Sequence, residues 1–234
     1  NRNLTMNSIS FYMRTLRTVL NKAVKLHLVE SSTPFQSVYT GIAQTVKRAI
    51  DIDSIKRIKE VDLGLYPHLA YARDIFLLSL SLRGMSFIDM AFLRKKDLQN
   101  GILSYRRQKT GQQLFIKWEK PMQEIIDRYD TQGSPYLLPI IRDMEVDGRK
   151  QYKKTAHLVN QKLKKLGMRL GLSIPLTTYV ARHAWASIAK SKNISLSVIS
   201  EAMGHDSENT TRIYLASLDA SLVDKANSLI LKSL

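Results

Sequence analysis

Three side chains near the carboxyl end of this chain are of types that could hold and attack a phosphodiester. His205 and Tyr214 stand nine positions apart, and Arg182 lies upstream of both. Arginine bonds two phosphate oxygens at once through its planar, permanently charged fork. A phenol becomes a nucleophile when it loses its proton, and an imidazole N–H can donate a hydrogen bond to the same phosphate. The spacing therefore predicts a site for nucleophilic attack on phosphorus.

Local signals predict how two of these side chains are positioned. Thr178 is a favourable N-cap for the helix that follows it, so Arg182 lies in the first turns, where a phosphate would also feel the positive end of the helix dipole. A second helix, over residues 195–203, ends at Gly204. Glycine accepts the left-handed conformation that ends helices, and this places His205 in the loop beyond.

The segment Met203-Gly204-His205, followed nine residues later by Tyr214, resembles the tyrosine recombinase (phage integrase) family. In that family Leu-Gly-His precedes the tyrosine by a similar interval, and the resemblance extends over about residues 55–220. It implies that Tyr214 is the nucleophile that forms a 3′-phosphotyrosyl intermediate, with His205 and Arg182 on the phosphate. Taken alone, a tyrosine on an amphipathic helix is more often a core residue.

The resemblance also implies a first arginine upstream, and Arg83 occupies such a place at the end of a buried helix predicted over residues 69–82. The family commonly reads Gly-Leu-Arg with an acid three residues on. Here Ser86 stands at that spacing after Arg83, and Asp89 is the nearest acid. The alternative is an ordinary arginine at a helix end.

A β-hairpin is predicted from two strands, 102–107 and 114–118, joined by a turn that contains Gly111. Lys109, followed by threonine, matches the family's hairpin lysine. The resemblance implies that Lys109 is the general acid that protonates the departing 5′ oxygen. A solvated turn lysine is the alternative. Basic residues expected to contact the DNA backbone are Arg106, Arg107 and Lys117 of the hairpin, and Arg14, Arg17, Lys47 and Arg48 of the amino-terminal part.

One departure from the family concerns the residue three positions before Arg182. The family usually has histidine there, and this chain has Tyr179. Tyrosine hydrogen-bonds a phosphate but is a poor base, because its reference pKa is ~10. Two interpretations stay open: Tyr179 is an auxiliary group that only positions the phosphate, or His183 or His205 takes part in proton transfer.

Composition favours a nucleic-acid partner. The 234 residues carry 36 basic and 20 acidic side chains, a net charge of +16, divided as +6 over residues 1–50, +3 over 51–150 and +7 over 151–234. Two basic flanks suit a clamp around a polyanion, although many basic proteins are merely soluble or bind anionic lipid. Zero cysteines excludes disulfides and iron–sulfur clusters. No apolar run approaches the ~20 residues of a membrane span, and no Walker loop, His-Glu-x-x-His or acid cluster indicates a nucleotide or metal cofactor.

The predicted fold is mainly α with a small antiparallel sheet (α+β). We expect a catalytic domain over residues 51–234, preceded in residues 1–50 by the carboxyl-terminal part of a helical core-site DNA-binding domain with helices near 9–24 and 34–50. A long helix is predicted over 148–170. A final helix over 219–232 would cover its own core or dock on a neighbouring protomer.

The resemblance implies a function: site-specific cutting and rejoining of double-stranded DNA, for integration, excision or inversion of a mobile element. No metal and no high-energy cofactor would be needed, because the phosphotyrosine conserves the bond energy. The expected partner state is a tetramer on DNA, with a monomer in solution as the alternative. The expected location is the cytoplasm, at a bacterial nucleoid. Two rival hypotheses are a DNA-binding protein that has lost catalysis and a type IB-like topoisomerase.

Overall fold

The structure, a computed structural model, describes residues 4–30, 33–41, 43, 49–205, 208, 211 and 215. The chain divides into two compact units, Asn1–Lys47 and Arg48–Leu234. Within the described ranges, no helix is long and apolar enough to cross a bilayer. Several sequence predictions fall outside the described residues: those for Lys47, Arg48 and Tyr214, and that for the helix over 219–232.

The first unit contains helix α1, Met6–Lys25. The second helix predicted near 34–50 is absent from the described part of that stretch, which forms a turn and non-helical chain. Side chains of α1 hold this backbone instead. Asn7 exchanges two hydrogen bonds with the backbone of Ala43, and Ser10 Oγ donates to the carbonyl of Gly41 over 2.6 Å.

The second unit is mainly helical with one small antiparallel sheet, which confirms the predicted fold class. Its described elements, in chain order, are α2 (Ile52–Glu60), α3 (Pro67–Ser81), α4 (Phe87–Ala91), a 3-10 turn (Lys95–Asp97), β1 (Leu98–Gln99), β2 (Ile102–Arg106), β3 (Gln113–Lys117), α5 (Lys120–Ile126), α6 (Gly148–Arg169), α7 (Thr178–Ser191) and α8 (Leu196–Ala202).

Helix α3 is the centre of the core and packs against α6 and α7. It begins at Pro67, whose fixed φ suits the first turn, and its inner face buries Ile75, Phe76 and Leu78 completely. Burial of a large apolar side chain contributes about 1.5–3 kcal/mol, so this face anchors the unit. The helix gives way after Leu82 to two residues with left-handed φ, which turn the chain sharply.

The sheet has the order β1-β2-β3, and β2 and β3 form the predicted hairpin. Leu103 pairs with Ile116 and Tyr105 with Leu114; all four side chains are buried on one face. Because successive strand residues point to opposite faces, Arg106 is exposed on the other face. The hairpin therefore presents one face to the core and one to solvent.

Candidate active site

Helix α7 carries Arg182 into the interior, where only 6% of the residue remains exposed. The helix begins one residue earlier than predicted, with Thr177 rather than Thr178 as its N-cap. The reason is that the backbone N–H and the hydroxyl of Thr178 both bond to Asn160 Oδ1, at 2.9 and 3.3 Å. This fixes the start of α7 on α6, and with it the position of Arg182.

The guanidinium of Arg182 joins the ends of two helices. Its Nη1 donates to the carbonyl of Gly84, just after α3, over 2.9 Å. Its Nη2 donates to the carbonyl of Met203, at the end of α8, over 2.6 Å, and lies 3.0 Å from His205 Nε2. Gly84 has φ +71°, and a Cβ there would lie 2.7 Å from the Cα of Arg182, so only glycine fits.

His205 follows α8 as predicted, because Gly204 adopts φ +62°. Arginine has no acceptor, so Nε2 of the imidazole must accept from Arg182, and the ring proton resides on Nδ1. That Nδ1–H then donates to Thr211 Oγ1, which lies 2.7 Å away. Burial, with the charges of Arg182, Arg107 and Lys109, lowers the pKa of His205 to about 4. The imidazole is therefore neutral near pH 7.

Arg107, which the sequence predicts as a contact of the DNA backbone, lies inside the protein. It is 7% exposed, and its Nη1 donates to the carbonyl of Gly204. The period of two along β2 explains the difference, since Leu103 and Tyr105 point inward and Arg107 continues that series just past the strand end. This alternation is the signal that sequence reasoning missed.

One residue without a predicted role is Asp89, which is 4% exposed on α4. One carboxylate oxygen accepts from the backbone N–H of Gln108 over 2.8 Å, and the other accepts from Ser86 Oγ over 2.6 Å. Asp89 therefore ties the start of the hairpin turn to α4. The spacing of acids after Arg83 drew attention to Asp89 but gave no indication of its partner.

Lys109 is exposed in the turn between β2 and β3. Its positive charge helps to lower the pKa of His205, although burial and the charges of Arg182 and Arg107 have larger effects. The other predicted DNA contacts of the hairpin are on its surface. Arg106 Nη1 donates to the Gly111 carbonyl over 2.7 Å, and the exposed Lys117 lies 3.6 Å from a carboxylate oxygen of Glu119.

Arg83 is half-buried and has φ +58°, in the turn after α3. The charge of Arg83 reaches the phenol of Tyr105. Burial and the charge of Asp89 raise the pKa of this phenol, and the charges of Arg182, Arg107 and Arg83 oppose the rise. Arg83 and Arg182 therefore both lie within electrostatic range of the Tyr105 phenol.

The remaining predicted residues are exposed. Tyr179 is 53% exposed, and its ring meets that of His183 edge-on, with centroids 4.5 Å apart. In the first unit, Arg14 and Arg17 are exposed on α1, and Arg17 Nη1 lies 3.4 Å from Thr40 Oγ1. Within the described ranges, no group of three or more metal-ligating side chains lies together.

Residues 49–221 match the phage integrase family. The match covers most of the chain, and the chain therefore belongs to this family. A curated relative, the tyrosine recombinase XerA of Pyrococcus furiosus, is 26% identical over 178 residues. That alignment covers 74% of this chain and 58% of the relative, so the chain spans little more than half the length of the relative it matches.

Solved structures show the same fold. A lambda integrase dimer bound to a COC′ core site matches with a TM-score of 0.63 at 16% identity, over 88% of this chain and 58% of that one. The Tn1549 transposon integrase in complex with a circular intermediate DNA gives 0.62 at 14% identity, over 91% and 76%. A crystal structure of the XerA recombinase gives 0.55 at 17% identity, over 93% and 75%.

Proposed function

We propose that this protein is a site-specific DNA recombinase that cuts and rejoins double-stranded DNA through a 3′-phosphotyrosyl bond to Tyr214. One observation carries the proposal: a buried arginine and a neutral histidine, Arg182 and His205, meet 3.0 Å apart in a cluster of further cations. Such a cluster would bind a phosphate and neutralise the charge that develops on its oxygens during attack. The biological outcome would be integration, excision or inversion of a mobile element.

The proposed reaction has two proton transfers. The Tyr214 oxygen attacks the phosphorus, the bond to the 5′ oxygen breaks, and that oxygen takes a proton from Lys109. Lys109 suits this task because it stands exposed on the turn of the hairpin and its charge reaches the His205 ring. Arg83 and Arg182 would bind the non-bridging oxygens. The new phosphotyrosine conserves the bond energy, so no high-energy cofactor enters the reaction.

His205 is our proposed acceptor for the tyrosine proton. A base must be neutral at the working pH, as the His205 imidazole is, and the charge of a bound phosphate would raise its low pKa towards that of an effective base. Its Nε2 carries the lone pair, now directed at Arg182 Nη2. When Arg182 bonds a phosphate instead, that lone pair becomes available. Tyr179, exposed on the first turn of α7, would be an auxiliary phosphate contact.

The wider arrangement is also a proposal. The exposed Arg14 and Arg17 of α1 make residues 1–50 a candidate DNA-binding part, with residues 51–234 as the catalytic part. The solved relatives include a lambda integrase tetramer bound to a Holliday junction, which supports a tetramer on DNA for this chain, with a monomer in solution as the alternative. A cytoplasmic location at the nucleoid follows from a DNA substrate.

A nicked suicide duplex tests the reaction, because loss of the short leaving strand traps the covalent intermediate. Wild-type protein should become attached to the DNA, and Tyr214→Phe should not. Attachment of both proteins, or of neither, would refute the role of Tyr214. Relaxation of any supercoiled plasmid without exchange between two sites would instead indicate a topoisomerase.

A further inference from the structure

We infer that Arg107 is a third guanidinium ligand of the scissile phosphate, beside Arg83 and Arg182, placed in the floor of the site by the hairpin. This inference rests on the proposed function, since it assigns a further residue to the same reaction. Its basis is the packing of Arg107 around Gly204 and His205, the absence of a negative partner for its charge among the described residues, and a buried donor atom left unused.

The geometry places Arg107 beside Arg182. The two guanidinium groups come from different elements and donate to consecutive carbonyls: Arg182 to Met203 and Arg107 to Gly204. The next residue in the chain is His205. Two arginines therefore hold the loop that carries the imidazole, and both are more than nine-tenths buried.

Arg107 differs from another buried charged residue, Asp74, in having no counter-charge among the described residues. Asp74, 1% exposed, is surrounded by the guanidinium groups of Arg73 and Arg128, each at 2.9 Å, and by the hydroxyl of Tyr129 at 2.8 Å. Among the described residues Arg107 has no carboxylate within ion-pair distance, and the one hydrogen bond of its guanidinium there goes to a neutral carbonyl. A buried charge without a counter-charge is costly, and a bound phosphate would supply the missing anion.

An unused donor on Arg107 supports the same conclusion. Its Nε is buried and has no hydrogen-bond partner within the described part of the chain. The same holds for Gln112 Oε1, which would lie 3.2 Å from a Cβ on Gly204. Buried polar atoms are rarely left unpaired in a native protein, and a phosphate oxygen would accept from Arg107 Nε, whereas Gln112 Oε1 needs a donor. The guanidinium fork binds phosphate with two parallel hydrogen bonds.

The arginine–acid spacing of the family pattern gives a further reason. If Gly84-Met85-Ser86 is aligned with Gly-Leu-Arg, the acid three residues on is Asp89, which the structure shows buried and bonded. In this register Ser86 replaces the arginine, and its hydroxyl caps α4 and donates to Asp89. The arginine position of the pattern then carries no guanidinium. Arg107, whose neighbour Gln108 is held by the same Asp89, supplies one in addition to Arg83 and Arg182.

The test compares two linkages at the scissile position of the suicide duplex: a natural phosphate, and a methylphosphonate in which a neutral methyl group replaces one non-bridging oxygen. The rate of covalent attachment is measured at saturating DNA. We expect Arg107→Ala to attach about 100–1000-fold more slowly than wild type on phosphate. On methylphosphonate the difference should be less than about tenfold, because the neutral linkage needs one cation fewer.

The matched control is Arg149→Ala, an exposed arginine of α6 to which no role in DNA binding or catalysis is assigned. Its loss at saturating DNA should be less than about threefold on either linkage. Arg107→Lys keeps the charge without the fork, so it should lie between wild type and Arg107→Ala on phosphate. If Arg107→Ala does not fold, as a melting curve will show, the comparison is made with Arg107→Lys alone.

The outcomes separate the two proposals. An equal loss on both linkages would mean that Arg107 only supports the fold, and would overturn the inference. No loss on phosphate would overturn it as well. If wild type and Arg149→Ala also fail to attach to the natural phosphate, the proposed function itself has failed.

Discussion

Arg106 and Arg107 are neighbours in the chain, yet they belong to two different regions of the molecule. Arg106 is on the outer surface of the hairpin, where its guanidinium bonds to the carbonyl of Gly111. Arg107 is in the floor of the site, together with Arg182, and both donate to the end of α8. The surface cations are surrounded by water, and the floor cations are held by backbone carbonyls.

The difference suggests two uses of positive charge. Surface cations are screened within about 10 Å at 0.1 M salt and contribute mainly to affinity and its salt dependence. Cations fixed in a buried site act in a lower dielectric and need no reorganisation when charge develops on a phosphate, so they contribute to the rate of the chemical step. Substitutions in the two regions should therefore give different kinetic signatures.

The largest effect in the floor is expected from Gly84→Ala. The added Cβ would lie 2.7 Å from the Arg182 Cα at a residue with φ +71°, so the end of α3 and α7 must separate. We expect a loss of about 2–5 kcal/mol in the free energy of unfolding, and attachment at least about 100-fold slower, measured by denaturant titration and with the suicide duplex.

Gly133→Ala is the control for Gly84→Ala. Gly133 has φ +77° but no atom within 4 Å of its added Cβ, so only the backbone penalty of about 1–2 kcal/mol remains. Equal losses of stability in the two variants would show that the contact between Gly84 and Arg182 is not tightly packed.

A smaller effect concerns the pH dependence of stability. The pKa of His205 is about 4 in the folded protein against the ordinary 6.5, so the unfolded chain takes up the proton first as the pH falls. The neutral ring contributes stability above pH 6.5, and this contribution is lost as the pH falls towards 4. When the pH falls from 6.5 to 4, the free energy of unfolding of wild type should decrease by about 1–2 kcal/mol more than that of His205→Asn. This range allows for solvent screening of a half-buried ring.

The measurement is urea unfolding of both proteins at several pH values. All other titrating groups are common to the two proteins and cancel in the difference. Parallel stability curves would contradict the assigned environment of His205.

The smallest effect is expected on the surface. Arg106→Ala should reduce the slope of log affinity against log salt by about one and weaken binding at low salt by about tenfold or less, as expected for the loss of one phosphate contact. Fluorescence anisotropy of a labelled duplex over a salt series measures both. An unchanged slope would remove Arg106 from the DNA interface.

Local sequence signals predicted the elements of the catalytic unit well. The apolar periodicity predicted α6 over 148–170, and the helix runs from Gly148 to Arg169. The hairpin was predicted from two strands and a turn, and the left-handed Gly204 from its place after α8. Each of these features depends on neighbouring residues, and for this reason the sequence was sufficient.

Features that depend on distant residues were missed. The chain near Gly41 and Ala43 is held by polar side chains of α1, so its helical pattern was misleading. The N-cap of α7 shifted by one residue because Asn160 takes the hydroxyl of Thr178. The burial of Arg107 was not predicted, since most arginines are exposed and only the packing of the hairpin on Gly204 places it inside.

The central claim is that Tyr214 becomes joined to DNA. The most direct test is mass spectrometry of the covalent complex after digestion with nuclease and trypsin. Cleavage after Arg212 and Lys225 gives a peptide in which Tyr214 is the only tyrosine. The account predicts that this peptide carries the nucleotide remnant. A remnant on the peptide that contains Tyr179, or on any other residue, would contradict it.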